Sequence, residues 1–321
     1  MEIFKPNLIV SKCLGFASCR YNGQTIPDKF VEQLKPFVNF IPICAEVEIG
    51  LGVPRSPLRI VWKKNDERLV QPLENKDCTE DMREFCQRFL NDNSNVDGFI
   101  LKSRSPSCGL NAVKVYLSEE IGSGVKQRTS GFFAKAVLER YSNLAIEDEA
   151  RLNNFRLREH FMTKLFTLAK FRNAYRSRDI NVLIDFHSQN KLLFMSYNQT
   201  GMRKLGKIIG NHQKGKTDET FQEYKNNLCI VLCKTSSIGN NINVLMHAFG
   251  YISKDLNRSE KSFFLDILEK YRERRIPLSV PQKIMHSYII RFDQPYLKEQ
   301  TFFAPYPEEL VTVTDSGKGR V

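Results

Sequence analysis

No run of residues in this chain approaches the ~18 consecutive apolar positions that cross a membrane. The opening Met1-Glu2-Ile3-Phe4-Lys5-Pro6 lacks the apolar core and small-residue cleavage site of an export signal. The sequence therefore predicts neither secretion nor membrane insertion, and a cytoplasmic location is expected. Eight cysteines occur without one C-x-x-C pair, and five histidines without metal-ligand spacing, so no zinc ribbon or finger is written into the chain. In a reducing compartment the cysteines serve packing, catalysis or metal binding, and a disulfide scaffold is excluded. No Gly/Ser-rich linker and no internal repeat is visible.

What is present is ample core material: 321 residues, 41% hydrophobic, 26% charged and 11% aromatic, enough for two domains or one large one. The net charge of +12 is unevenly placed. Residues 1–150 hold 20 basic and 20 acidic side chains, residues 151–321 hold 28 and 16, and within the latter 151–234 carries 16 against 6. A localised basic field favours a polyanionic partner; the plainer alternative is a solvated basic surface that keeps the chain soluble.

Short apolar runs at Leu8-Ile9-Val10, at 37–43, at 97–102 and at 112–116 read as strands, the last as an edge strand. Between them 28–34 and 79–90 have helical spacing, the second with Thr79 as its capped start. Alternation of this kind predicts a parallel α/β sheet. From about residue 130 the pattern turns helical, with helices expected at 131–138, 152–169, 236–254 and 261–274, the last stopped by Pro277. The expected architecture is a Rossmann-like α/β domain over 1–146 and an all-α domain over 147–321, with the boundary at Ile146-Glu147-Asp148 and a frayed tail over 314–321.

Cys13, Cys44 and Cys108 each follow a strand candidate by a few residues, in turns rich in Gly, Ser or Pro. In an open α/β sheet the loops at the carboxyl ends of the strands converge on one crevice, so three distant cysteines can meet. Three thiolates with no fourth partner suit a [4Fe-4S] cluster with one open iron, inert buried cysteines being the alternative. Cys19, six residues past Cys13, reads as packing with a spare cluster ligand as the alternative, and Cys78, Cys86, Cys229 and Cys233 read as packing, the last two on one apolar helical face. His187 and His247, in apolar helical segments, read as core or interdomain residues rather than catalytic ones.

Cys13-Leu14-Gly15, Arg20-Tyr21-Asn22-Gly23, Cys44-Ala45-Glu46, Gly50-Leu51-Gly52-Val53-Pro54-Arg55 and the run from Leu101 to Gly109, LKSRSPSCG, resemble the thiouracil desulfidase (TudS-like) family. The resemblance covers about residues 6–146 and departs at Ala45, where the family commonly has proline. It implies a Rossmann-like fold with Cys13, Cys44 and Cys108 holding a [4Fe-4S] cluster whose open iron takes the substrate's sulfur. The second half is similar to the YbgA-like helical domain at Asp185-Phe186-His187, from Lys191 to Met195, from Asn243 to Tyr251, from Tyr271 to Leu278, and from Gln300 to Pro307. Chains with this layout resemble RNA desulfidases that convert 4-thiouridine in tRNA to uridine.

On that footing Glu46 is the candidate general acid or base, with Ser103 and Ser105 as catalytic candidates, and Arg55 and Lys102 as contacts to an anionic substrate. A surface ion pair would equally explain Glu46, turn stabilisation the serines, and simple ion pairing the two cations. Candidate RNA contacts are Lys191, Arg203, Lys204, Lys207, Arg272, Arg274 and Arg275. Three functions remain open at this level: a tRNA thiouridine desulfidase, a desulfidase of free thiouracil or thiouridine, and a nucleic-acid-binding iron-sulfur sensor without turnover.

Overall fold

The computed structural model describes residues 5–311, so the expected tail over 314–321 lies outside the described residues. The chain forms two compact units, one up to Ala169 and again from Glu309, the other Lys170–Glu308.

In the first unit the elements run β1 (Asn7–Ser11), α1 (Lys29–Leu34), β2 (Asn39–Ile43), α2 (Ala45–Glu48), β3 (Arg59–Lys63), β4 (Asp66–Gln71), β5 (Lys76–Asp77), α3 (Thr79–Asp92), β6 (Gly98–Leu101), β7 (Val113–Tyr116), β8 (Val125–Thr129), α4 (Phe132–Tyr141), β9 (Ala145–Asp148) and α5 (Phe155–Ser177). The unit division falls within α5. A four-stranded sheet, ordered β2-β1-β6-β9, is parallel throughout. Leu8, Ile9 and Val10 at its centre are wholly buried, as expected of a strand covered on both faces. Asp28 caps α1 by accepting from the Val31 amide at 3.0 Å. Met82, Phe85, Cys86 and Leu90 of α3 make one buried stripe against the core.

Four expectations need correction. A second, five-stranded sheet ordered β5-β4-β3-β7-β8 stands beside the parallel one. Segment 112–116 supplies β7, which lies between β3 and β8 and is no edge. Thr79 does not cap α3: its hydroxyl accepts from the Leu69 amide at 2.9 Å, and its own amide donates to the Asp77 carboxylate at 2.9 Å. Ile146-Glu147-Asp148, read as the boundary, belongs to β9, which pairs with β6 along its length.

In the second unit follow α6 (Ile180–Tyr197), α7 (Gln199–Gly210), α8 (Thr217–Val231), α9 (Ile238–Ile252), α10 (Arg258–Arg272), α11 (Ser279–Arg291) and the short α12 (Pro295–Lys298). This helical part has its own aromatic core, in which Phe171, Phe186 and Tyr224 meet at ring separations of 5.6 to 6.2 Å. His187 lies at its margin, its Nδ1 3.0 Å from the Tyr224 hydroxyl. His247, by contrast, is exposed and sits edge-on to the Tyr251 ring, so it is no core residue. Cys229 is buried on α8, whereas Cys233 falls beyond the helix end and is exposed, so the two do not share an apolar face. No helix among the described residues is long and apolar enough to cross a membrane.

Candidate functional site at the strand ends

The parallel sheet changes direction at β1. The chain leaves β1 for β2 on one side and returns to β6 on the other, which opens a crevice at the carboxyl ends of these strands. Cys13 follows β1 by two residues, Cys44 follows β2 directly, and the loop after β6 carries Lys102 to Cys108. Ser11, at the end of β1, ties two of these together. Its hydroxyl accepts from the Lys102 amide at 2.8 Å and hydrogen-bonds the Cys108 thiol.

The three cysteines feel one another. Burial pushes the Cys13 thiol up to about 11, with the neighbouring Cys44 adding to it. Burial likewise raises Cys108 well above the ordinary thiol range, with charge on Cys13, Glu46 and Cys44 adding to the effect. Cys44 moves the other way because a hydrogen bond from the Cys19 thiol favours its thiolate. Cys19 is thus a fourth thiol beside the three, a placement its six-residue spacing from Cys13 left ambiguous. Among the described residues no three His, Cys, Asp or Glu side chains converge tightly enough to hold a single metal ion. The sulfur set instead matches the chemistry of an iron-sulfur cluster, which is larger than one ion and is bound through thiolates.

Beside the cysteines lies a carboxylate network. Glu46, in the first turn after Cys44, accepts on Oε2 from Arg55 Nε at 3.0 Å and Nη2 at 2.5 Å. The pair is largely buried, with side-chain exposures of 6% for Arg55 and 13% for Glu46, and so is no surface ion pair. Arg55 also donates to the Cys19 carbonyl at 3.0 Å. On the other oxygen, Oε1, Glu46 accepts from the Ser107 hydroxyl at 3.0 Å and from Ser105 at 3.4 Å. Ser105 Oγ in turn accepts from the amides of Ser107 and Cys108 at 3.2 and 3.1 Å, so it shapes the loop as well as touching Glu46. Ser107, wholly buried, escaped the sequence reading because only the closed loop turns it toward Glu46.

Ser103 and Lys102 join a different carboxylate, Glu149, at the end of β9. Glu149 Oε1 accepts from Lys102 Nζ at 2.5 Å and Ser103 Oγ at 2.7 Å, and its Oε2 from the Ser103 amide at 2.7 Å. The structure thus separates the two serine candidates, Ser105 to Glu46 and Ser103 to Glu149. It also places both cations, Arg55 and Lys102, in carboxylate pairs. Glu149 went unread because it lies 47 residues from Lys102 in sequence.

The cysteine loop and α4 are built together. Gly131 donates its amide to Gly109 O at 2.7 Å, Phe132 to Pro106 O at 3.1 Å and Ala134 to Ser107 O at 3.1 Å, so the loop's carbonyls satisfy amides that a helix start leaves unpaired. A Cβ at Gly131 would meet the Ser107 carbonyl carbon and oxygen at 2.5 Å, which is why glycine stands there.

In the second unit, Arg203, Lys204 and Lys207 are exposed on α7, opposite buried Met202, Leu205 and Ile208, and Lys191 is exposed on α6. Arg272 and Arg275 are drawn to Glu269 and Glu273, and Arg274 is exposed between them.

Comparison with known proteins follows the same division. Residues 8–149 match the family model described as 2-thiouracil desulfurase, and residues 191–307 match a family of unknown function, DUF1722. The uncharacterized protein YbgA of Escherichia coli (strain K12) is 26% identical over 163 residues, 50% of this chain and 86% of that protein. The uncharacterized protein YbbK of Bacillus subtilis (strain 168) is 30% identical over 109 residues, 32% of this chain and 72% of that protein. A solved structure described as the [4Fe-4S]-dependent thiouracil desulfidase TudS is similar at 26% identity with a TM-score of 0.37, covering 46% of this chain and 93% of that one.

Proposed function

Through residues 8–149 the chain belongs to the 2-thiouracil desulfurase family, and from that membership we propose that it is a [4Fe-4S]-dependent desulfidase converting 4-thiouridine in tRNA to uridine. The observation that carries the reading is the placement of Cys13, Cys44 and Cys108 at the carboxyl ends of three adjacent parallel strands, beside the Glu46–Arg55 pair. Cys13, Cys44 and Cys108 would hold the cluster, which supplies a Lewis-acidic iron for the soft sulfur of a thiocarbonyl.

The chain's own groups handle protons. Water adds to the thiocarbonyl carbon, the C–S bond breaks, the C–O double bond forms, and sulfur departs as hydrosulfide with no net electron transfer. Arg55 occupies Glu46 Oε2 through two nitrogens, leaving Oε1, with its two serine hydroxyls, as the oxygen that takes the proton from water and returns it to the departing sulfur. Lys102 and Ser103, held by Glu149, form a second polar group near Cys13. The tRNA assignment is supported by the basic excess of the second half and by the exposed cations of α7. A free-base desulfidase leaves that excess without a partner.

The test is nucleoside analysis of bulk tRNA before and after anaerobic incubation with reconstituted protein. Loss of 4-thiouridine with matching sulfide release is expected. Sulfide released from free thiouracil but never from tRNA would move the assignment to the free base. Binding of tRNA without sulfide release would make the protein a sensor.

A further inference from the structure

The first half of the chain is electrically neutral in sum, yet one groove on it is not. A cleft of 590 Å³ between β3, β7 and the loop after β6 is lined by Arg59, Arg104, Lys114 and Arg128 beside Tyr116, and among the described residues no acidic side chain lines it. The hydrogen bonds of these cations go to carbonyls: Arg59 to Glu120 O at 3.1 Å and Arg128 to Ala112 O at 3.3 Å. The nearby carboxylate of Glu119 is taken by Lys63. Arg59 also lies over the Tyr116 ring, 4.8 Å from its centroid.

Two features show that this arrangement works against the fold. Lys114 and Arg128 stand directly opposite in the β7–β8 register, a like-charge pairing that weakens a sheet. Arg104 adopts a φ of 59°, in the left-handed region that costs an ordinary residue free energy.

The groove also shares a wall with the cysteine site. Along the loop after β6, Ser105 and Ser107 turn to Glu46, whereas Arg104 and Pro106 line the groove. We propose that this groove is a phosphate track for RNA on the desulfidase unit itself, gripping backbone phosphates next to the thiolated nucleotide, independently of the cations on the helical unit. The inference rests on the reading of tRNA as substrate and adds the surface by which the catalytic unit holds the chain it acts on.

The single variants Lys114→Glu and Arg128→Glu test it, since each converts the like-charge pair into an opposite-charge pair and is expected to hold or raise the melting temperature. Binding of unmodified tRNA, followed by fluorescence anisotropy across a salt series, should weaken in both. The slope of log affinity against log salt should shrink by roughly 0.7–0.9 for each phosphate that the variant no longer neutralises. Turnover of thiolated tRNA at limiting concentration should fall with it, while turnover of free 4-thiouridine reports an intact cysteine site. Unchanged affinity and slope in both variants, with wild-type protein active on tRNA, overturns the groove and leaves the tRNA reading standing. Wild-type protein active on the nucleoside but not on tRNA overturns the reading itself. Equal losses on 4-thiouridine monophosphate and on tRNA would mean that a free nucleotide's phosphate is what binds, and would overturn the RNA assignment.

Discussion

Arg55 holds a single oxygen of Glu46 with two nitrogens, at 3.0 and 2.5 Å, nine residues along the chain from it. The carboxylate is thereby divided into an anchored oxygen and one that meets serine hydroxyls. Glu46→Gln should keep iron content and tRNA binding while turnover falls ~10²–10⁴-fold, the usual contribution of general acid-base catalysis. Full activity in this variant would reduce Glu46 to a structural partner. Arg55→Ala leaves a largely buried carboxylate without its counter-ion and should destabilise the protein by about 3–5 kcal/mol, measured by denaturant unfolding.

Replacing Cys13, Cys44 or Cys108 singly with Ala should abolish the broad visible absorbance of reconstituted protein together with activity. Cys229→Ala should only loosen the packing of α8, and Cys233→Ala, at an exposed position, should be close to neutral. Wild-type iron content in any of the first three variants would remove that residue from the ligand set.

Reversing charge at Arg203, Lys204 and Lys207 should raise the apparent Michaelis constant for thiolated tRNA and leave a free thiouridine nucleoside unaffected. The three lie on the solvent face of an α7 whose buried side is Met202, Leu205 and Ile208, so the helix tolerates the change. Equal loss on both substrates would point to a folding defect.

Burial, with the nearby Lys191 charge adding to it, lowers His187 from 6.5 to about 4. In the unfolded chain this imidazole binds a proton below about pH 6.5, in the folded chain only below about 4. The unfolded state therefore holds more protons across that window, and stability falls as pH drops from 6.5 to 4. Burial lowers His160 to about 4 as well, so it adds to the same trend. Melting temperatures measured from pH 7 to pH 4.5 should decline, and His187→Phe should flatten part of the decline if the fold holds.

The strands legible in the sequence are the apolar runs of the parallel sheet and the alternating Val113–Tyr116. Leu8-Ile9-Val10, the 37–43 run and Phe99-Ile100-Leu101 announce β1, β2 and β6, and with them the three cysteines at their ends. The strands that went unread are short, charged or both: Arg59–Lys63 sets Ile60, Val61 and Trp62 between two cations, Asp66–Gln71 opens with three charged residues, Val125–Thr129 is largely exposed, Lys76–Asp77 has two residues, and Ala145–Asp148 ends in two carboxylates. Their strand character comes from pairing with neighbours rather than from periodicity. The site follows the same rule. Glu46 was visible beside Cys44, but its separation from Glu149, and the assignment of Ser105 and Ser107 to one and Ser103 to the other, exist only once four strand ends are brought together.

Because Phe132 and Ala134 donate their amides to the carbonyls of Pro106 and Ser107, the order of the cysteine loop is written into the start of α4. Those two amides can exchange with solvent deuterium only when the loop lets go, so their exchange rates are a clock for loop opening. Loading the crevice, whatever its colour or activity, should slow that clock at residues that carry no sulfur.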